Sequence, residues 1–435
     1  MTTDVHAPAS AQAPGQAVPP MPARDRRVEQ AAHALAPLIR ALGDRRDFAI
    51  RFWDGRGFRT PAGVDPRFTL SIRRPGALRR MLLPPTDLAI GKAFVHGDFD
   101  VDGDIFAFAS LPDRLGELPL RPIDWLRLGS RLIRLQDAPR PADARTAAAL
   151  SGELHSAARD AAAIRFHYDV GNEFYRLWLD QRMVYSCAYF RTDDASLDDA
   201  QLAKLDLVLD KLQIRDGMRL LDIGCGWGGL LMRAAERYPH LTAVGITLAE
   251  RQHAMATDLV AAAGFADRLR VELLDYREAP ARLGRFDRIA SIGMAEHVGE
   301  ERLRDYFRAA AGCLEPGGLF LNHAITLQPG RLAVVGGGLL PGPLGQIVGR
   351  RSFVDAYVFP DGVLVTLAQM LSPAMAAGFE VRDIESLRPH YARTLRHWVA
   401  RLEAHWTEAV AEAGEAIART WRLYMAGAAI GFESW

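Results

Sequence analysis

The sequence predicts an α/β fold with a mostly parallel sheet, preceded by a small α+β domain. Short apolar segments alternate with helical patterns from residue 219 onward, and such alternation places a parallel sheet between two layers of helices. A glycine-rich loop follows the first of these apolar segments, at the edge where open α/β sheets bind their ligands. Together these features predict a Rossmann-like arrangement of strands and helices.

Composition and pattern divide the chain into four parts. Residues 1–27 are rich in alanine and proline without an apolar core, so we expect a disordered tail rather than a signal peptide. Residues 28–112 are predicted to form the α+β domain. Residues 113–150 are predicted to form a helical linker that ends in a segment rich in proline, alanine and arginine, at 138–149. Residues 151–435 carry the glycine-rich loop and the alternating pattern.

The predicted α+β domain begins with a helix rich in alanine and leucine. Three segments typical of strands follow it, at residues 48–53, 68–72 and 92–101. The order Asp-x-Asp-x-Asp-Gly at residues 98–103 resembles the start of a calcium-binding loop, but Ala109 stands at the twelfth position, where such a loop needs a glutamate. The alternation of apolar and polar residues there favours a strand, and we expect no metal.

The C-terminal part is predicted to contain six strands with helices between them. The strands are expected at residues 219–223, 242–247, 269–274, 286–292, 319–325 and 380–384. The helices are expected at residues 229–238, 249–263 and 300–314. The Glu-Pro-Gly-Gly sequence at 315–318 is interpreted as a turn that precedes the fifth strand.

The composition argues against several classes of protein. Lys+Arg and Asp+Glu are equal at 53 residues each, so no net charge attracts nucleic acid. The three cysteines have neither the spacing of a metal site nor the even number of a disulfide framework, which favours a reducing cytoplasm. No apolar run reaches the ~18 residues that a membrane span needs.

The loop at residues 224–229 formally matches the dinucleotide-binding pattern G-x-G-x-x-G. That pattern also requires an acidic residue about 20 positions later, at the end of the second strand, to bind the ribose. The predicted second strand, 242–247, ends without one, whereas Asp222 stands just before the glycines. This arrangement is similar to the first motif of S-adenosylmethionine (SAM)-dependent methyltransferases, so SAM is the expected ligand.

Further segments in unbroken order make the resemblance more specific. They are H-Y-D-V-G-N-E-F-Y (167–175), Y-S-C-A-Y-F (185–190), G-I-T-L-A-E-R-Q (245–252), S-I-G-M-A-E-H-V-G (291–299), E-P-G-G-L-F-L-N-H-A-I (315–325), Y-V-F-P-D-G (357–362) and H-Y-A-R-T-L (390–395). On these residues the chain resembles the cyclopropane-fatty-acyl-phospholipid synthases and their mycolic acid cyclopropane synthase relatives. The resemblance implies a class I SAM-dependent methyltransferase fold and an N-terminal domain like a lipid-binding domain, to which residues 91–104 are similar.

The resemblance also implies a set of catalytic residues. In this family a bound bicarbonate ion is understood to act as the base, and its ligands would be Cys187, Glu296, His323, Tyr391 and the main chain of Ile325. Each residue has a structural alternative. Cys187 is interpretable as a small buried hydrophobe, His323 as a core histidine and Tyr391 as a packing residue of a helix.

The cofactor side follows from the same motifs. Tyr185 and Ser186 are expected near the methionine portion of SAM, with Tyr168 beside them, and Gly224 and Gly226 give close backbone approach. The expected ribose contacts are Thr247, Leu248 and Gln252. Asp275 and Tyr276 are expected at the adenine, although Asp275 is also interpretable as the cap of a turn. Aromatic side chains are expected to stabilise a cationic intermediate, namely Tyr168, Tyr189, Phe190 and Tyr391.

A basic amphipathic segment at residues 125–135 has two interpretations. It is either a helix that lies on an anionic membrane or an interdomain helix with a solvated basic face. The last helix lacks the cysteine that some family members carry. The chain stops at Trp435, so we expect the sheet to lack an edge strand.

The resemblance implies a cytoplasmic, peripherally membrane-associated enzyme that converts cis double bonds of phospholipid acyl chains into cyclopropanes. The N-terminal domain is expected to present or extract lipid and to help form a homodimer. The alternatives are an enzyme that makes methyl-branched or methyl-alkene chains, a small-molecule N- or O-methyltransferase, and a non-catalytic lipid- or SAM-binding module.

Overall fold

The computed structural model describes residues 25–116, 122–135, 148, 150–168, 170–328 and 352–434. Residues 1–24 of the predicted tail and nearly all of the segment 138–149 lie outside the described residues. Among the described residues, no helix has the length and apolar character needed to cross a membrane.

The N-terminal region is a four-stranded mixed sheet with helices around it. The sheet has the order β2-β1-β3-β4. Its strands are β1 (Phe48–Arg51), β2 (Gly57–Phe58), β3 (Phe68–Ile72) and β4 (Phe99–Gly103), and its helices are α1 (Arg26–Leu42), α2 (Ala77–Leu82), α3 (Asp87–Val95), α4 (Ile105–Ala109), α5 (Leu111–Gly116) and α6 (Pro122–Leu132). The strands predicted near Phe48 and Phe68 are confirmed. The segment that resembles a calcium loop is strand β4, as its alternation indicated.

The predicted strand at 92–101 is wrong in its first half, because residues up to Val95 belong to helix α3. Thr86 begins this helix, and its side chain accepts a hydrogen bond of 3.1 Å from the backbone N–H of Ala89. The helix buries Phe94 against the last helix of the chain. This packing between distant segments selects a helix where the local pattern favoured a strand.

The second sheet has five parallel strands in the order β7-β6-β5-β8-β9. They are β5 (Arg219–Ile223), β6 (Thr242–Thr247), β7 (Leu269–Leu273), β8 (Phe286–Ile292) and β9 (Leu314–His323). The helices before and between them are α7 (Ala157–Tyr168), α8 (Asn172–Arg176), α9 (Leu197–Lys211), α10 (Gly229–Arg237), α11 (Glu250–Ala262), α12 (Ala279–Leu283) and α13 (Leu303–Gly312). The predicted parallel sheet and its first four strands are confirmed.

Two predictions for the end of this sheet are wrong. The sequence at 315–318 does not precede β9 but lies within it, as an irregularity where the pairing with β8 shifts between Phe286 and Arg288. The predicted strand at 380–384 makes no sheet hydrogen bonds, and Val381 and Ile384 are 38% and 56% exposed. Lys211 instead forms ion pairs with Asp383 and its neighbour Glu385.

The C-terminal helices join the two regions. The remaining elements are β10 (Thr326–Leu327), α14 (Phe353–Tyr357), β11 (Val365–Thr366), α15 (Leu367–Ala376), α16 (Arg388–Ala404), α17 (Trp406–Ala413) and α18 (Glu415–Glu433). Helix α18 packs along α16 and against α3 and α4 of the N-terminal region. One continuous hydrophobic core therefore includes Phe94, Phe99, Trp398 and Trp421.

Candidate active site

The glycine-rich loop connects β5 to α10 at the carboxyl ends of the parallel strands. Gly224 has φ +81°, and a Cβ at this position would lie 3.1 Å from the side chain of Met294. The backbone N–H groups of Gly224 and Cys225 donate to the carbonyl of Ile246, at 2.9 and 3.0 Å. The loop is therefore held against β6, and a side chain at Gly224 would be both strained and crowded.

A small cavity of about 130 Å³ lies beside this loop. It is lined by all the predicted cofactor-binding residues except Asp275: Tyr168, Tyr185, Ser186, Asp222, Gly224, Gly226, Thr247, Leu248, Gln252 and Tyr276. Among the predicted ribose contacts, the Thr247 hydroxyl donates to Gln252 Oε1 at 2.9 Å. Burial raises the pKa of Asp222 to about 7, and the nearby Lys204 limits this increase.

Asp275 does not line this cavity. Its Oδ1 accepts from the backbone N–H of Arg277 at 2.9 Å, and its carboxylate forms an ion pair with the Arg277 guanidinium at 2.5 Å. Both carboxylate oxygens are therefore engaged in capping and pairing, as in the alternative interpretation of this residue. The adenine contact stays a prediction.

A second and much larger cavity, about 2310 Å³, adjoins the first. It is lined by all five predicted catalytic residues, namely Cys187, Glu296, His323, Ile325 and Tyr391. They come from the segment after α8, the segment after β8, the end of β9 and the start of α16. The chain thus brings together residues that are up to 204 positions apart, by the difference between 391 and 187.

Glu296 has one engaged and one open carboxylate oxygen. Oε1 accepts from the backbone N–H of Ile325 at 2.8 Å. Oε2 is buried and has no hydrogen-bond partner among the described residues. Burial raises the pKa of this carboxyl, against the effect of the Ile325 hydrogen bond. An unpaired buried acceptor is costly, so the site suits a ligand that donates a hydrogen bond to Oε2.

The other side chains of this group are held neutral. The Cys187 thiol donates to the carbonyls of Ala188 and Leu387, at 3.2 and 3.6 Å, and burial raises its pKa to about 12. Burial and the nearby Lys204 lower the pKa of His323 to about 4. Burial also raises the pKa of Tyr391, whose ring stacks on Phe432 at 4.7 Å. The neutral imidazole and phenol supply hydrogen-bond donors around the carboxylate, whereas the thiol hydrogen is donated to backbone carbonyls.

The rings of Tyr168 and Tyr185 line both cavities. Tyr185 lies between Trp178, Trp398 and Trp421, with ring centroids 5.3–5.8 Å away. By contrast, the predicted cation-stabilising residues Tyr189 and Phe190 do not line either cavity. The Tyr189 ring lies 4.7 Å from that of His390, and Phe190 stacks on His397 at 5.4 Å, so both pack against α16.

Sequence reasoning missed Lys204 on α9. This residue lines both cavities, is 2% exposed, and donates from Nζ to Ser186 Oγ at 2.8 Å. One signal was available in the sequence, because the chain has only three lysines among 53 basic residues. His297, which follows Glu296 in the sequence, also lines both cavities, and burial lowers its pKa to about 4.

Comparison with known proteins is consistent with this site. The family model described as mycolic acid cyclopropane synthetase matches residues 155–435. A "probable fatty acid methyltransferase" of Pseudomonas putida is 39% identical over 401 residues, which cover 92% of this chain and 91% of the relative. The crystal structure of mycolic acid cyclopropane synthase CmaA1 with SAH and CTAB is 38% identical, with a TM-score of 0.56 over 63% of this chain and 93% of that one.

The cyclopropane synthase MmaA2 of Mycobacterium tuberculosis is similar to the same extent, with 36% identity and a TM-score of 0.57 over 63% of this chain and 93% of that one. Both the sequence motifs and the parallel sheet with its glycine-rich loop agree with these proteins. The chain therefore belongs to the mycolic acid cyclopropane synthetase family of SAM-dependent methyltransferases.

Proposed function

We propose that this protein is a cyclopropane-fatty-acyl-phospholipid synthase. The observation that carries the proposal is the large cavity in which Glu296, His323 and Tyr391 converge beside the predicted SAM cavity. The substrate is a cis double bond in a phospholipid acyl chain. Its π electrons attack the sulfonium methyl of SAM, so a C–C bond forms, the S–CH₃ bond breaks and S-adenosylhomocysteine leaves. The acyl chain is left as a carbocation.

Ring closure requires loss of a proton from the transferred methyl group, and the C–H electrons then form the third bond of the ring. Bound bicarbonate supplies the base that takes this proton. The residues present fit such an ion: Glu296 Oε2 is an open acceptor for its hydroxyl, and His323 and Tyr391 are neutral donors for its oxygens. Their role is to hold the base at a fixed place beside the SAM cavity.

The walls of the cavity serve the same chemistry. Water would trap a carbocation as an alcohol, so the reacting carbon must be kept dry. The cavity runs from the catalytic residues along the apolar side chains of α18 to the N-terminal region, where Leu35, Ile50 and Met81 line it. An acyl chain is the class of ligand that such a long apolar cavity accepts.

Helix α6 is the proposed membrane-docking surface. It packs against α1 and α2 through Leu128 and Leu132, whereas Leu126 and Ile133 are 68% and 59% exposed. Arg127 is exposed on the same helix. Exposed apolar side chains interleaved with arginines suit the surface of an anionic bilayer. The buried leucines pack within the N-terminal region rather than between domains. The exposed face therefore stays available to the bilayer, and the enzyme reaches phospholipid from the cytoplasmic face.

A second candidate is methylation of the acyl chain without ring closure. It is favoured by the Pseudomonas putida relative, which covers both regions of this chain and is named as a fatty acid methyltransferase. The first step is the same, and the cation then loses a proton from an adjacent chain carbon to leave a methyl-alkene chain. A saturated methyl branch requires in addition a hydride from a reduced nicotinamide or flavin.

The product distinguishes the two candidates. Purified protein is incubated with SAM, bicarbonate and vesicles of cis-monounsaturated phospholipid, and the fatty acids are analysed by mass spectrometry and NMR. The synthase is supported if the product gains CH₂, has lost the double bond and shows the proton signals of a cyclopropane ring. The same gain with a retained double bond supports the methyltransferase and contradicts the proposal, and so does a gain of CH₄ with a saturated methyl branch when a reduced nicotinamide or flavin is supplied.

A further inference from the structure

Lys204 is a buried cation at the junction of the two cavities. It lies on α9, beneath the segment that carries Ser186 and Cys187, and Ser186 Oγ is its one hydrogen-bond acceptor among the described residues. An ammonium group in such a place loses its hydration, so burial alone favours the neutral amine. A lysine is retained there at a cost to stability, which indicates a function for its charge.

Four ionisable groups face this ammonium. Asp180 and Asp222 favour its charged form, the neutral Cys187 thiol adds no charge, and the ammonium in turn disfavours protonation of His323. Asp180 is already bound by backbone, since its oxygens accept from the N–H groups of Val184 and Arg182, at 2.8 and 2.9 Å. Burial lowers the pKa of Lys204 to about 8, and the carboxylates of Asp180 and Asp222 limit the decrease.

The ammonium of Lys204 would offset the repulsion between the proposed bicarbonate and the Glu296 carboxylate in the catalytic cavity. A bicarbonate ion among Cys187, Glu296, His323 and Tyr391 would lie beside a carboxylate, and two anions repel strongly where water is scarce. The thiol, imidazole and phenol are all neutral. Lys204 lines the same cavity and carries the compensating charge.

We propose that Lys204 is a positioning residue whose ammonium holds the bicarbonate anion in the catalytic cavity and fixes Ser186 at the edge of the SAM cavity. This inference rests on the proposed function, because it concerns the same bound base. It adds a cationic group to the site. Lys204 would bind the bicarbonate, and Glu296 would orient it.

The test measures binding of bicarbonate to the enzyme–SAH complex by calorimetry, where no turnover occurs, and the dependence of turnover on bicarbonate concentration in CO₂-depleted buffer. Lys204→Met keeps the length of the side chain and removes the charge, and Lys204→Arg keeps the charge. We expect Lys204→Met to raise the half-saturating bicarbonate concentration by about thirtyfold or more, as for other buried charge pairs that lose one partner. Lys204→Arg should raise it less. A change in maximal turnover alone, with unchanged half-saturation in Lys204→Met, would overturn the proposal.

The wild-type enzyme provides a second measurement that does not depend on a variant's folding. The half-saturating bicarbonate concentration should rise as pH increases from 7 to 9, because Lys204 loses its proton over this range, and Lys204→Arg should remove that rise. A constant half-saturation in the wild type would contradict the role of the ammonium. Products are analysed in parallel: cyclopropane formed without any bicarbonate dependence would overturn this inference while the synthase assignment stands.

Discussion

At the scale of single residues, the Glu296 carboxylate has one oxygen that accepts a backbone hydrogen bond and one that is available to a ligand. The backbone N–H of Ile325 holds Oε1, and Oε2 stays free to accept from a ligand. Burial raises the pKa of this carboxyl, and burial of its charged form lowers the stability of the folded protein. Because the folded state binds the proton more tightly than the unfolded state does, stability falls as pH rises through the unfolded and then the folded pKa.

Glu296→Gln keeps the shape and the acceptor for Ile325 but removes the charge. We expect turnover to fall by about a hundredfold or more, in the range of other lost catalytic acid–base groups, with the SAH dissociation constant unchanged in calorimetry. The melting temperature at pH 7 should rise, and this gain should shrink as pH is lowered. The matched control is Glu301→Gln, since Glu301 is exposed on the next turn. Unchanged turnover in Glu296→Gln would remove this residue from the mechanism.

At the scale of secondary-structure elements, helix α6 has one buried face and one exposed face. Leu128 and Leu132 are buried, and Leu126 and Ile133 are exposed together with Arg127. Its neighbour α2 contributes Met81 to the large cavity, so the exposed face of α6 lies next to the N-terminal end of the proposed acyl-chain path.

Reversing the charge of Arg127 and Arg134 to glutamate should weaken binding to anionic vesicles. Each arginine near an anionic surface contributes about 1 kcal/mol, so the double variant should bind at least about thirtyfold more weakly. Binding is measured by co-sedimentation with phosphatidylglycerol vesicles, and phosphatidylcholine vesicles serve as the neutral reference. Arg308→Glu on α13 is the control because Arg308 is also exposed. An equal loss in the control would show a general charge effect rather than a docking surface.

At the scale of the whole molecule, the N-terminal region and the last helix fold as one body. Arg419 on α18 is buried, donates to the carbonyls of Phe94 and Phe99 at 3.2 Å, and forms an ion pair with Asp100. It therefore ties α18 to α3 and β4, far from it in sequence.

Arg419→Met should destabilise the protein by about 1–3 kcal/mol, because it leaves the carbonyls of Phe94 and Phe99 without this donor. The half-buried Asp100 keeps its ion pair with Arg73. The measurement is the shift of the guanidinium unfolding midpoint. Arg282→Met removes an exposed arginine with only a long ion pair to Glu278 and should change stability by no more than about 0.5 kcal/mol. A similar small shift for Arg419→Met would show that the two regions are held by apolar packing alone.

The sequence by itself determined the parallel sheet, the glycine-rich loop and the family. These features depend on contiguous residues: the apolar run of β5, the glycines after it and the periodicity of α10 and β6 act over a few positions. The motifs also pointed to residues that the fold then brought around one cavity, since each motif is local even where the site is not.

Only the tertiary structure decided the features that depend on distant neighbours. Residues 92–95 became helical through packing against α18, Asp275 paired with Arg277, and Phe190 turned to α16 rather than to the cavity. Lys204 became a site residue because α9 passes beneath both cavities. Side-chain direction and burial depend on contacts between elements that are distant in the sequence, and no local sequence pattern encodes those contacts.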